Sequence, residues 1–217
     1  MMVWKVGILI AFIWVIFGTW MFEPPMSSVA TPEIYRIFYF HVPVALVTFV
    51  AYGLAMYQAI MYLRKKELRY DLKSSSAALL GTIFCILATV SGSIFAKFAW
   101  GSFWNWDPRE TSIAVLMLIY LAYFSLRAAV PDPSRKANLS AVYSILGFIA
   151  AIFTIFIWPR IAPGLHPGAP GDSSSGLFIV MSGTAWSVFG PSLAAFLGLF
   201  AWIYSLTLRI KKLVKEE

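Results

Sequence analysis

Six apolar stretches, each about 20 residues long, limit what this chain can fold into. They are Val3–Phe22, His41–Leu63, Ser75–Ala96, Thr111–Val130, Leu139–Trp158 and Trp186–Leu208. A helix rises about 1.5 Å per residue, so each stretch is long enough to cross a hydrocarbon core of about 30 Å. Backbone amides in lipid have no water to bond, so each stretch must close its hydrogen bonds internally, as a helix. The sequence therefore predicts an all-α polytopic membrane protein, a bundle of six transmembrane helices in one domain over 1–217. Composition points the same way. Charged residues make up 12% of the chain, against about 25% in an average soluble domain. That density excludes a soluble enzyme, a disordered chain and a nucleic-acid-binding domain, in spite of the net charge of +7. Lys5 and the first apolar stretch have the outline of a signal peptide. The cleavage-like Ser28-Val29-Ala30, however, lies well past that stretch, beyond Pro24 and Pro25, so it is read as a retained helix.

The basic residues orient the bundle. With six spans both termini share a side. On that side fall Lys5, then Arg64, Lys65, Lys66, Arg69 and Lys73 after the second span, and Arg127, Arg135 and Lys136 after the fourth. Arg209, Lys211, Lys212 and Lys215 of the tail join them. Only Arg36, Lys97, Arg109 and Arg160 of the 17 basic residues fall on the other side. Short loops obey the positive-inside rule, which predicts that both termini are cytoplasmic. The positive charge then marks orientation and contact with anionic lipid.

The opposite, outer face collects the unusual side chains. Both histidines of the chain lie there: His41 at the start of the second span, and His166 in the Gly/Pro-rich connection before the sixth. Between them in sequence runs Trp100-Gly101-Ser102-Phe103-Trp104-Asn105-Trp106-Asp107-Pro108-Arg109-Glu110-Thr111-Ser112. If this loop were a helical turn, Trp100, Phe103 and Trp104 would share one face as a broad aromatic slab. Spacing alone leaves two readings of these rings, a belt at the membrane interface or a platform for a flat apolar ligand. Trp20, Trp158 and Trp186 fit the belt. Asp107-Pro108 followed by Glu110 also reads as a helix start with a capping box, the preferred reading of both acids. A histidine in such places can simply cap a helix or meet lipid phosphate. Yet neutral imidazole is a common iron ligand, and haem is a flat macrocycle with two axial positions. Two imidazoles from different segments could clamp it, with Arg109, Lys97, Arg36 and Arg160 as the cations available to its propionates. The single cysteine, Cys85, rules out an internal disulfide and a CxxCH haem attachment.

The loop from Trp100 to Ser112 resembles the tryptophan-rich WWD signature of haem-handling membrane proteins of cytochrome c maturation, the family of CcmC, CcmF and CcsA/ResC. Six spans and one such loop between two outer histidines resemble CcmC, and Tyr35-Arg36-Ile37-Phe38-Tyr39-Phe40-His41-Val42-Pro43 is similar to the segment around its first haem-ligating histidine. Phe103 stands where CcmC commonly has a second adjacent Trp, and Asp107-Pro108-Arg109-Glu110 is closer to the CcsA/ResC version. The resemblance implies that His41 and His166 are axial ligands of non-covalent haem b. It implies that Trp100, Phe103, Trp104, Trp106 and Asp107 form the WWD platform. It further implies delivery of haem to the periplasmic chaperone CcmE, with CcmD, CcmA and CcmB as partners, at a bacterial or archaeal cytoplasmic membrane. No enzymatic activity is expected. Two other readings fit the composition, a b-type electron-transfer subunit and a structural permease subunit without haem.

Overall fold

The computed structural model describes residues 3–22, 32–166, 169–170 and 183–216. Helix α1 (Val3–Met21) is followed by a 3-10 turn (Pro32–Ile37) that runs into α2 (Phe38–Lys65). Then come α3 (Leu68–Trp100), α4 (Pro108–Ala129) and α5 (Pro133–Ile152). A π-helical segment (Phe153–Ile157) leads from α5 into the short α6 (Trp158–Ile161), and α7 (Gly183–Glu216) closes the chain. Six of these segments are long and apolar enough to cross a membrane, as the sequence predicts. Ser28-Val29-Ala30 lies outside the described residues.

Helices α2, α3, α4 and α7 are longer than their apolar stretches. Helix α3 has 33 residues, roughly 50 Å at the usual rise and more than the hydrocarbon core needs. Arg69, Asp71 and Lys73 end the apolar pattern but not the hydrogen-bond ladder, so the helix continues past the charge boundary. The end of α5 has a local cause. Pro159 has no N–H to give a carbonyl one turn back, and the π segment just before it absorbs the mismatch.

Packing follows membrane rules. Large apolar side chains such as Leu118 and Leu146 are well exposed on the outside of the bundle, where lipid would cover them. Buried contacts use small residues and side-chain hydrogen bonds instead. Helix α2 sits centrally, against α3, α5 and α7, and α1 packs on α7. Between α2 and α3 lie Ala51, Ala55, Ala77 and Ala78, all fully buried. Ser74 Oγ donates to the Ala55 carbonyl at 2.8 Å, and Tyr52 and Thr82 share a 3.1 Å bond. Tyr52 stacks on Tyr120 of α4 with centroids 3.4 Å apart. Trp14 Nε1 of α1 donates to the Ser187 carbonyl of α7 at 2.9 Å, so the first apolar stretch is a packed member of the bundle.

Successive helices alternate in direction. The α2–α3 and α4–α5 turns therefore share an end with Lys5 and the last turns of α7. The 3-10 turn, the α3–α4 loop and α6 share the other, which is the end that carries both histidines.

Candidate functional site

His41 stands in the first turns of α2, directly after the 3-10 turn. Pro43 lies inside α2 and leaves the Tyr39 carbonyl without its helical donor; Ser192 Oγ of α7 donates to that carbonyl instead. The half-buried His41 ring turns toward α3, where its Nδ1 is 2.9 Å from Ser91 Oγ. The ring also lies within hydrogen-bonding reach of the Ala88 backbone carbonyl.

His166 reaches the same end from the chain that follows α6. Its Nδ1 is 2.6 Å from Asp107 Oδ1. The ring N–H is not aligned on that oxygen as a hydrogen bond would need, so the contact is electrostatic. The carboxylate is fixed from both directions. Arg109 N donates to Oδ1 at 2.8 Å as the helix cap, and Leu165 N donates to Oδ2 at 2.6 Å. The backbone at Gly164 lies so close that a Cβ there would come 2.7 Å from Oδ2. Only glycine lets this connection rest on the start of α4. Burial alone would raise the Asp107 pKa. The His166 ring and the N–H groups of Arg109 and Leu165 outweigh it and hold the carboxyl at about 2. Asp107 is thus the helix cap that the sequence suggests and also the partner of a histidine 59 positions later, which the sequence does not suggest.

The aromatic loop differs from the helical slab expected of it. Helix α3 ends at Trp100, and residues 101–107 are non-helical, so Trp100, Phe103 and Trp104 do not share a helix face. The rings are divided instead. Trp100 meets the His166 imidazole edge to face with centroids 4.7 Å apart, and meets Phe95 at 5.3 Å. Trp104 and Trp106 form a T-shaped pair at 6.0 Å. Trp106 is 77% exposed and Phe103 58% exposed, an unusual display for large rings outside the lipid-facing helices. Trp106 also has φ 57°, a left-handed conformation that a bulky residue rarely adopts. Glu110 supplies the reason. Its Oε2 accepts from Asn105 N at 2.6 Å and Asp107 N at 3.3 Å, so the backbone bends around the carboxylate on both sides of Trp106.

The cations are unequally placed. Arg109 is exposed and lies within electrostatic range of His41, Asp107 and Arg160. Lys97 bonds the Gly101 carbonyl at 3.0 Å and lies over the Phe103 ring. Arg36 is engaged with Glu33 and with the Thr19 and Phe22 carbonyls, where it ties α1 to the 3-10 turn. Arg160 caps the Phe156 carbonyl.

These residues fit haem. The two imidazoles lie within electrostatic range of each other, each with Nδ1 engaged. They rest on one helix, at Ser91 and at Trp100, about 13 Å apart at 1.5 Å per residue. Among the described residues no three His, Cys, Asp or Glu converge. A bare metal ion has no cage there, whereas iron already held by a macrocycle needs only two axial donors. Sequence reasoning missed Ser91, Glu110 as the support of Trp106, and Gly164. Ser91 and Gly164 act through tertiary contacts that no spacing rule encodes, whereas Glu110 bends its own loop through Asn105 N and Asp107 N.

Fold and site define a polytopic, all-helical membrane protein with two imidazoles and an exposed tryptophan loop gathered at one end of the bundle. A family profile described as "Heme exporter protein C" (CcmC) matches residues 1–210, and the chain belongs to that family. The heme exporter protein C of Paracoccus denitrificans is 30% identical over 159 residues, covering 68% of this chain and 66% of that protein. The Bradyrhizobium diazoefficiens protein of the same name is 35% identical over 114 residues, covering 52% and 43%. That of Escherichia coli K12 is 29% identical over 159 residues, covering 72% and 63%. The chain thus spans less than two thirds of the length of these relatives.

Proposed function

We propose that this protein binds haem b non-covalently between His41 and His166, at the periplasmic face of a bacterial or archaeal cytoplasmic membrane. It delivers that haem to the periplasmic chaperone CcmE during cytochrome c maturation, working with CcmD and the transporter subunits CcmA and CcmB. The observation that carries this reading is the convergence of the only two imidazoles of the chain on one end of the bundle, with the Trp100 ring against one of them. Bound haem supplies a flat apolar face and an iron with two axial positions. The protein residues do the rest. His41 is held by a helix, so it keeps its place. His166 comes from a connection that touches α4 through Asp107, so it can be displaced more readily. The exposed Trp106 and the half-buried Trp104 give the macrocycle a surface without enclosing it, which leaves an edge for a chaperone. Arg109, within electrostatic range of His41, and Lys97 are the candidate partners for the propionates. Arg36 is the least suited, because its guanidinium already holds three acceptors. Nothing in this reading asks the protein for catalysis.

The test is an absorption spectrum of the purified wild type beside His41→Ala and His166→Ala. The wild type is expected to show a b-type spectrum that weakens in both variants. Full haem occupancy and normal chaperone loading in His41→Ala reject the ligand assignment. Quinol oxidation by the isolated protein would favour an electron-transfer subunit instead.

A further inference from the structure

The His41 ring meets α3 at the Ala88 carbonyl and at the consecutive residues Ser91 and Gly92, and each of the latter two contacts has a chemical consequence. The first is the 2.9 Å contact between Nδ1 and Ser91 Oγ. Distance alone does not say which atom donates. The surroundings of the hydroxyl do. Ser91 Oγ is 2.8 Å from the Leu87 carbonyl and 3.2 Å from the Ala88 carbonyl. A carbonyl oxygen can only accept, and a serine hydroxyl has a single proton. That proton is committed to the helix carbonyls, so the hydroxyl oxygen faces His41 as an acceptor. Nδ1 must then carry the ring proton. A neutral imidazole has only one N–H, so Nε2 is left with its lone pair.

The second contact is with Gly92. A Cβ at this position would come 3.0 Å from His41 Cε1 and 3.7 Å from both ring nitrogens. Cε1 lies between the two nitrogens, so a side chain here would push the ring away from Ser91. Glycine lets the ring approach the helix backbone closely enough for the hydroxyl to reach Nδ1.

We infer that Ser91 and Gly92 are positioning residues for His41: the hydroxyl selects the Nδ1–H tautomer, the absent side chain gives the ring its seat, and Nε2 is presented unprotonated for iron. The purpose assigned to the tautomer rests on His41 being a haem ligand, whereas the tautomer itself can be read without haem. The two imidazoles then differ by design. His41 is backed by a neutral hydroxyl on a helix, and His166 by a carboxylate on a connection. Outer partners of this kind set the orientation and basicity of a ligating histidine.

Because the chain has two histidines, nitrogen-15 labelling of histidine gives a simple spectrum. The full chain is labelled, purified haem-free in detergent and measured at a pH where both rings are neutral. The His41 signals are assigned by their loss in His41→Ala. The expected result is a protonated Nδ1 and an unprotonated Nε2 for His41 in the wild type and in Ser91→Thr, whose hydroxyl makes the same bonds. Ser91→Ala and Gly92→Ala are expected to shift His41 toward the Nε2–H form of free histidine. In a haem titration they should weaken binding by about 10–100-fold, with Ser91→Thr close to wild type. An Nε2–H form in the wild type, or unchanged tautomers in Ser91→Ala, overturns the inference and leaves the ligand assignment standing. Wild-type haem binding by His41→Ala overturns the ligand assignment and with it the purpose given to Ser91.

Discussion

Nδ1 of His166 stands 2.6 Å from Oδ1 of Asp107, which joins the connection before α7 to the first turn of α4. One carboxylate therefore caps a helix and holds a candidate iron ligand. The two roles separate on substitution. Asp107→Asn keeps a good N-cap but replaces the charge that faces the ring. Its haem affinity is expected to fall about 10–100-fold, and near neutral pH it should lose roughly the 2 kcal/mol that the charge contributes. Asp107→Ala should lose the same affinity and about 1 kcal/mol of stability beyond the Asn variant. Haem titration beside thermal unfolding distinguishes the two, and equal melting temperatures for Asn and Ala would refute the capping role.

Acid should act on the haem-free protein through the same group. The folded Asp107 pKa is about 2 against an ordinary 3.8, so it is depressed. A depressed carboxyl gives stability that is fully present above its unfolded value and lost as pH falls through its folded value. Stability is therefore expected to fall between about pH 4 and pH 2, by roughly 2 kcal/mol from this residue. Asp132, which caps α5 and is also lowered, by the Arg135 N–H first and then the Ser134 hydroxyl, adds to the same limb. Unfolding curves of wild type and Asp107→Asn across this range check it: the variant should show the shallower acid loss.

Trp106 offers the opposite test, in which function and stability part. Its left-handed backbone costs of order 1 kcal/mol, and its ring is 77% exposed. Trp106→Gly removes the strain and little packing. Its melting temperature is expected to hold or rise while haem affinity drops. A variant that melts well below the wild type would show that the ring packs more than its exposure implies.

Far from the histidines, Arg127 and Asp71 form a bidentate pair at 2.6 and 2.9 Å that links α4 to α3. Their side chains are 16% and 14% exposed. Arg127→Met strands a largely buried carboxylate and should cost about 3 kcal/mol. Adding Asp71→Leu should restore most of that. Chemical denaturation of the single and double variants measures the recovery, and the haem spectrum should be unchanged in the double variant.

Much of the fold is legible in the residues themselves. Apolar length alone gives six spans, because lipid forces every long stretch to bond within itself. The start of α4 is equally local, since Asp107, Pro108 and Glu110 form a cap within one turn. The loop before it was harder to read. Helical periodicity suggested a slab from Trp100 to Trp104, but the helix stops at Trp100 and Glu110 pulls residues 105–107 around its carboxylate. Several helices also run past their apolar stretches, because charge marks where lipid stops and not where hydrogen bonding stops.

The sequence by itself determined that this is a six-span helical protein with its two histidines and its tryptophan loop at one end. Alternation of spans places them there whatever the packing. Only the tertiary structure decided which atoms meet: Ser91 beneath His41, Asp107 against His166, Trp100 beside that ring. These contacts join residues far apart in the chain. They depend on which helix faces lie against each other, and in lipid that is set by small-residue fit and scattered hydrogen bonds, not by a hydrophobic pattern that a sequence displays.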